Sequence, residues 1–569
     1  MNKNKHKERQ IFSKEITFGL ISAFAAFCIY IPVFNYGFVD WDDPQMLLGN
    51  VLVREISFEG IKNIFSEYVN ENYHPLTVLS YTFEYAFAGY SPKLYHVINV
   101  LFHSVNAFLV FKLIQLLFKN HTVSLIGSLL FAVHPMHVES VAWVTERKDV
   151  LFAFFFLLSL IEYLKFCTSN KSKHYYFTLL YFVLSLLSKA QAVTLPIVLI
   201  LFDWYLNKGV HHRKVIFQKV PFFILSLIFG LITANAASSS GIIVYAEKYT
   251  LLERLMFAGY SAWIYIFKFI APLNLSCVYP YPEKINDSYS ILIILAPFLI
   301  IVFTAGILFY FRKKREFLFG ILFFFANIVL MLQILPVGHA FIADRFTYVA
   351  YIGFYVISGY YLAPVIQNKS NKNQNNRNFT IVFLIIVLSF FSFRTWERCK
   401  AWQSSESLWN DAVKKYPEMP MIQNHAGALY IFSDFSKALK CFEKAITLDP
   451  EYQHAHNNIG IVYYNQQKYD LALQKFNDAI KIDEKFSLAI HNRGALYKVL
   501  GLTDKAFDDY SKAIELNPKY GQAYYNRAVI FTEKQNYKKA FEDALNAKKS
   551  GFAIDENFLK DLESKSSQK

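Results

Sequence analysis

Residues 16–44, ITFGLISAFAAFCIYIPVFNYGFVDWDDP, set the class of this protein. An apolar run over 16–36 is long enough to cross a bilayer, which takes ~20 residues, and it is followed at once by Asp40, Asp42 and Asp43. The basic stretch Met1 to Glu15 precedes it. A secretory signal would have a shorter apolar core and a small-residue cleavage site, and no Ala-x-Ala stands just behind the run, so the run reads as an uncleaved first transmembrane helix. Three carboxylates this close raise one another's pKa, and the apolar border adds desolvation in the same direction. Such groups suit proton transfer or the holding of a cationic or metal-bound partner. An acidic, solvated loop marking the outer side of a membrane is the plainer alternative.

Working outward, apolar segments of spanning length recur at 97–118, 122–138, 150–167, 175–190, 192–206, 216–236, 291–311, 317–336, 346–364 and 379–395, which makes eleven spans. The composition agrees, with 54% hydrophobic and 18% charged residues, an apolar balance for a soluble chain. The net charge of +14 sits largely in short loops, so topology explains it better than a nucleic-acid partner does. Cytoplasmic loops collect Lys and Arg. The N-terminus and the loops at 112–119, 165–173, 208–219, 312–315 and 369–377 fall on one side only if 253–272 does not cross. With Glu253, Arg254, Lys268 and Trp263, that stretch suits an interfacial helix. A second amphipathic helix is expected over 51–70. The outer face then receives Asp40 to Asp43, His134 to Asp149, Tyr279 to Pro282, His339 to Arg345, and everything after Trp396.

Beyond Arg394 the chain turns soluble and repeats every ~34 residues, the tetratricopeptide (TPR) period. The register reads Asn458-Ile459-Gly460, Tyr463, Ala472, Phe476, Ala479, and again Asn492-Arg493-Gly494, Tyr497, Ala506, Tyr510, Ala513. The expected fold is all-α: a basic cytoplasmic tail over 1–15, a polytopic bundle over 16–395, a linking half-repeat over 396–418, a TPR α-solenoid over 419–552 and a polar tail over 553–569. Five scattered Cys without a CxxC pair give no support to a disulfide framework or zinc site. Walker loop, dinucleotide fingerprint and HExxH are missing, so no cofactor is firmly implied; a divalent metal has no support beyond His134 and His137 at i,i+3.

The remaining candidates are polar groups in apolar surroundings. Glu139, Arg147 and Asp149 would line an outer cavity, and Asp344 with Arg345 stands at a membrane boundary, where a guanidinium fork suits phosphate or lipid headgroups. His74 precedes Pro75 and would cap the same cavity. His96, Asn99, His103 and Asn106 step three, four, three along one helix face and read as interhelical hydrogen bonding.

Phe38-Val39 with Asp42-Asp43, Pro75-Leu76-Thr77, Tyr95-His96 with Asn99, and the run from Phe131 to Pro135 through Glu139 to Trp143 and Arg147-Lys148-Asp149 together resemble the transmembrane-and-TPR O-mannosyltransferases and their GT-C glycosyltransferase relatives. His74 departs from the pattern, where Arg is expected. The resemblance implies transfer of a sugar, mannose above all, from a polyprenyl-phosphate carrier to an acceptor hydroxyl, Ser or Thr of a protein, on the outer face. It implies Asp42 or Asp43 as base, Asp43 or Asp149 as an orienting group, and Arg345 and Arg147 against the leaving phosphate. Asp40, His74, Glu139 and Asp344 would complete the substrate site, and the TPR groove would dock the acceptor protein or a partner. A bacterial inner membrane with TPRs in the periplasm or outside is expected, or an endoplasmic reticulum with lumenal TPRs in a eukaryote. A non-catalytic TPR scaffold and an envelope-glycan ligase or polymerase are the alternatives.

Overall fold

The computed structural model describes residues 2–70, 72–208, 213–238, 249–284, 288–334, 341–368, 370 and 373–567, with side chains from residue 14 onward. Gly338-His339-Ala340, and parts of two basic loops at 209–212, 369 and 371–372, lie outside the described residues. Among the described residues the chain is helical, with one isolated bridge, Val69 to Asn72, and no strand. It divides into two units, 1–48 with 52–408 and 409–569 with 49–51.

In the first unit every one of the eleven expected apolar segments contains a helix. Six are long and apolar enough to cross a membrane, seven if a bent pair counts as one span, and Ala190–Tyr205 and Ile352–Gln367 are shorter apolar helices. The chain is a multi-pass membrane protein. Local chemistry sets the turns. Helix Pro92–Phe118 starts with Pro in its first turn and stops where Lys119 turns left-handed at φ 51. The Asn120 side chain then accepts hydrogen bonds from the Thr122 and Val123 N–H groups and starts helix His121–Val133, so two residues close the hairpin. Pro135 ends that helix. The chain bends by 54°, makes the short helix Val138–Ala142 and a 3-10 turn Val144–Glu146, and enters helix Arg147–Ser169.

One expected element differs. The amphipathic stretch 51–70 is a 3-10 turn Val51–Arg54 followed by a nine-residue helix Phe58–Ser66. Ser57 is extended and its side chain caps the Gly60 N–H, which prevents one continuous helix. The stretch 253–272 is a continuous helix, Leu251–Ile270, started by a Thr250/Glu253 capping box. It carries three charged residues and is not among the helices apolar enough to span. Helices Arg315–Ile328 and Ile352–Gln367 touch through glycine: a Cβ on Gly353 would stand 2.1 Å from the Gly320 carbonyl oxygen.

In the second unit four helix pairs follow the predicted register, from Pro420–Ala428 with Phe435–Leu448 to Gly521–Glu533 with Tyr537–Lys549. The small residues work as expected, since a Cβ on Gly427, Gly460 or Gly494 would lie 2.7, 2.6 or 3.0 Å from the ring of Phe442, Phe476 or Tyr510. Two boundaries move. Residues 396–399 finish the last long apolar helix, Gln374–Cys399. The polar tail forms a closing helix, Glu556–Ser567, because Leu559 and Leu562 cover Ala540 and Ala544.

Candidate functional site

The site lies wholly within the first unit, where the acidic loop after the first helix meets the bent segment 134–149. Asp43 is fully buried. Its carboxylate accepts from the Val39 N–H at 2.8 Å, Trp143 Nε1 at 3.0 Å and Thr145 Oγ1 at 2.8 Å. Burial pushes its pKa up to about 6, opposed by those three donors. Both oxygens are committed, so Asp43 fixes the loop. Asp42 differs: its side chain keeps 23% exposure and one oxygen stands 3.6 Å from Lys148 Nζ. It is partly open where Asp43 is closed, while Asp40 is exposed.

Behind Asp42 the charges converge on Glu146, which is fully buried. Lys148 approaches one Glu146 oxygen at 3.1 Å and Arg345 Nε the same oxygen at 3.3 Å, while Lys189 lies 3.7 Å from the other. Arg345 also pairs with Glu139 through its guanidinium and through its N–H at 3.1 Å. Lys189 pairs with Asp149, whose second oxygen accepts from Ser140 Oγ at 2.9 Å. The three cations keep 12–17% side-chain exposure. Arg345 and Lys148 stand 5.6 and 5.9 Å over the Trp143 ring, which holds them in place on an apolar face.

The other predicted residues divide. Glu139, Asp149 and Arg345 join this cluster. Arg147 does not: its guanidinium is fully buried and faces Glu84, Asn99 Oδ1 and the Tyr95 carbonyl. A guanidinium enclosed this way can stabilise no leaving phosphate, because Glu84 on helix Pro75–Ala88 neutralises it. Asp344 is buried and accepts from Tyr279 Oη at 2.6 Å. Asp40 offers its N–H to Ser405 Oγ at 2.8 Å. His74 is buried beside the cluster, and burial, helped by the Lys148 charge, pushes its pKa down to about 3. It is neutral at any working pH and supplies no cation.

His96, Asn99, His103 and Asn106 are buried and bridge helices: Asn99 Nδ2 donates to the Trp143 carbonyl at 3.0 Å, and His103 meets Tyr348 Oη at 2.8 Å. His134 and His137 turn to separate partners, the Phe269 carbonyl at 3.1 Å and Tyr355 Oη at 2.9 Å. Among the described residues no three His, Cys, Asp or Glu side chains are grouped to hold a metal.

Sequence reasoning assigned no role to Glu146, Lys148, Lys189 or Trp143. Lys189 carried a usable signal: it is a lone cation near the end of the apolar run 175–190, and a charge in that setting faces protein or a polar cavity.

The chain joins a multi-pass helical unit, with a buried cluster of cations and carboxylates, to a TPR array, the combination whose sequence resembles the O-mannosyltransferases. The comparisons agree. Residues 83–237 match the dolichyl-phosphate-mannose-protein mannosyltransferase family, and TPR families match within 426–542. The chain is 25% identical to human protein O-mannosyl-transferase TMTC3 over 503 residues, covering 79% of this chain and 53% of that protein. It is 43% identical to Xenopus laevis protein O-mannosyl-transferase tmtc2 over 101 residues, 18% of this chain and 12% of that one. The chain thus spans about half the length of the first of these relatives. The solved TPR protein YrrB, described as having an unusual peptide-binding site, covers 36% of this chain and 97% of its own at 20% identity and TM-score 0.22.

Proposed function

We propose that this chain moves a sugar, mannose by its likeness to the O-mannosyltransferases, from a polyprenyl-phosphate carrier to a Ser or Thr hydroxyl of an acceptor protein on the outer face of a membrane. The acceptor oxygen bonds to the anomeric carbon, and the bond from that carbon to the phosphate oxygen breaks, its electron pair leaving with the lipid phosphate. The hydroxyl proton passes to Asp42, the partly exposed carboxylate beside Lys148. Lys148, Lys189 and Arg345 face the charge that develops on the phosphate, where fixed cations in a water-poor setting act most strongly. In a bacterium the membrane would be the inner one, with the TPR array outside it and docking the acceptor.

The observation that carries this reading is the contrast between Asp43, closed by three donors, and Asp42, partly open beside Lys148, which also joins Lys189 and Arg345 around Glu146. The test is transfer of mannose from polyprenyl-phosphate mannose to a Ser/Thr peptide by the full chain in membranes. The wild type is expected to turn over and Asp42→Asn to lose about 100-fold or more. An Asp42→Asn chain at the wild-type rate removes the base. A wild type inert with every donor, lipid-diphosphate oligosaccharides included, hands the chain to the scaffold reading.

A further inference from the structure

Two hydrogen bonds, and a ring stack on Trp143, tie the acidic loop to one short segment just after the last long apolar helix. The Gly37 N–H donates to the Gln403 carbonyl at 3.0 Å, and the Asp40 N–H donates to Ser405 Oγ at 2.8 Å. Trp402, fully buried in the 3-10 turn Lys400–Trp402, stacks on Trp143 with ring centroids 5.1 Å apart and planes 22° apart. Trp41 lies against Trp143 at 5.6 Å. Trp143 is the residue whose indole N–H holds Asp43. Trp402 Nε1 is itself buried without a hydrogen-bond partner among the described residues. A buried indole N–H costs free energy when unpaired, so Trp402 is held there by its ring face.

We propose that Trp402, Gln403 and Ser405 form a positioning strap that sets the acidic loop, so the segment leading into the TPR array also fixes where Asp42 stands. The strap touches no substrate; it acts through the Gly37 and Asp40 N–H groups and through Trp143. Residue 409 begins the second unit, so only Glu406, Ser407 and Leu408 separate the strap from that unit in the chain. A displacement of a loop by about 1 Å can cost about 100-fold in rate, which gives this short connection a lever on transfer. The catalytic consequence rests on the function proposed above; the placement of the loop does not.

The experiment uses the full chain in detergent or nanodiscs and reads two quantities. Amide exchange at Val39 to Asp43 is measured without donor, and kcat and donor KM are measured with polyprenyl-phosphate mannose. Trp402→Ala and Ser405→Ala are expected to speed loop exchange about tenfold and to lower kcat about tenfold with donor KM within about twofold. Trp402→Phe, which keeps a stacking face, is expected to restore both. Trp402→Ala should also move the acid limb of the pH profile upward, as Asp43 loses a well-held donor. Unchanged loop exchange in Trp402→Ala and Ser405→Ala, or Trp402→Phe no better than Trp402→Ala, overturns the strap. Should Trp402→Ala fail to fold, Ser405→Ala and Trp402→Phe decide. If the wild type transfers nothing while the variants still loosen the loop, the strap stands and the proposed transfer falls.

Discussion

Two buried charge clusters in the membrane unit look alike in composition and differ in what they leave open. In the first, Asp203 holds Lys219 at 2.6 Å and Tyr163 Oη at 2.6 Å, with Lys219 also 4.7 Å over the Tyr163 ring. One carboxylate meets one ammonium, both are 2–3% exposed, and the pair is closed. In the second, Asp42, Glu139, Glu146 and Asp149 share Lys148, Lys189 and Arg345, whose side chains stay partly open. A closed pair offers its charge only to itself, so it can act on stability alone. An open cluster keeps directions in which an anion or a hydroxyl can approach. The lesson is that stoichiometry and residual exposure, rather than burial, separate an ion pair that braces helices from one able to take a substrate.

The comparison breaks most sharply by exchange of single carboxylates. Asp42→Asn should lower mannose transfer by about 100-fold or more with little change in thermal stability. Asp203→Asn should do the reverse, destabilising the unit by about 3–5 kcal/mol through the stranded Lys219 while the activity per folded molecule holds. Melting curves beside transfer rates check both. Next in size, Lys148→Met, Lys189→Met or Arg345→Lys should each lower kcat/KM for the phosphate-linked donor about tenfold to 100-fold. Arg345→Lys belongs in that set because lysine cannot reproduce the planar fork that reaches Glu139 and Glu146 together.

A smaller effect follows from Asp43. With its pKa pushed up to about 6, it takes up a proton as pH falls through that value, and a protonated oxygen can no longer accept from all three donors. Transfer should therefore decline as pH drops through about 6, and Asp43→Asn should lose that acid limb along with about tenfold in rate; a pH–rate profile of both chains decides. Smallest of all, Arg493→Ala in the TPR unit removes a bidentate pair with Asp509 at 2.8 Å. It should cost about 1 kcal/mol in that unit's unfolding and leave transfer to a short peptide unchanged.

The fold was legible where periodicity is strong. A 34-residue register from Gly427 to Ala547 and apolar runs between basic loops lead to the two helical units, and both signals are one-dimensional by nature. The ends of elements were less so: Ser57 interrupts an amphipathic pattern by capping, and Leu559 with Leu562 turns a polar tail into a packed helix. The site was legible as a set of charged segments, since Asp42, Glu139, Asp149 and Arg345 all stood out against apolar neighbours. Their roles were not. Arg147 and Lys148 are adjacent in sequence, yet one is enclosed by Glu84 and the other reaches Asp42. Which of two neighbouring cations is neutralised depends on a helix some sixty residues away, and no local pattern encodes that.

The glycine contact between helices Arg315–Ile328 and Ile352–Gln367 bears on the speed of the chemistry. Where Gly353 meets Gly320 the two backbones touch directly, and a separation set by main chain cannot relax by turning a rotamer. Arg345 lies in the turn Asp344–Thr347, seven residues before the start of the second helix, so its guanidinium is presented from a rigid mount. In the proposed transfer, a cation on such a mount would not have to swing round as charge moves onto the leaving oxygen. The reorganisation energy that water would demand at that moment would then be met when the chain folds.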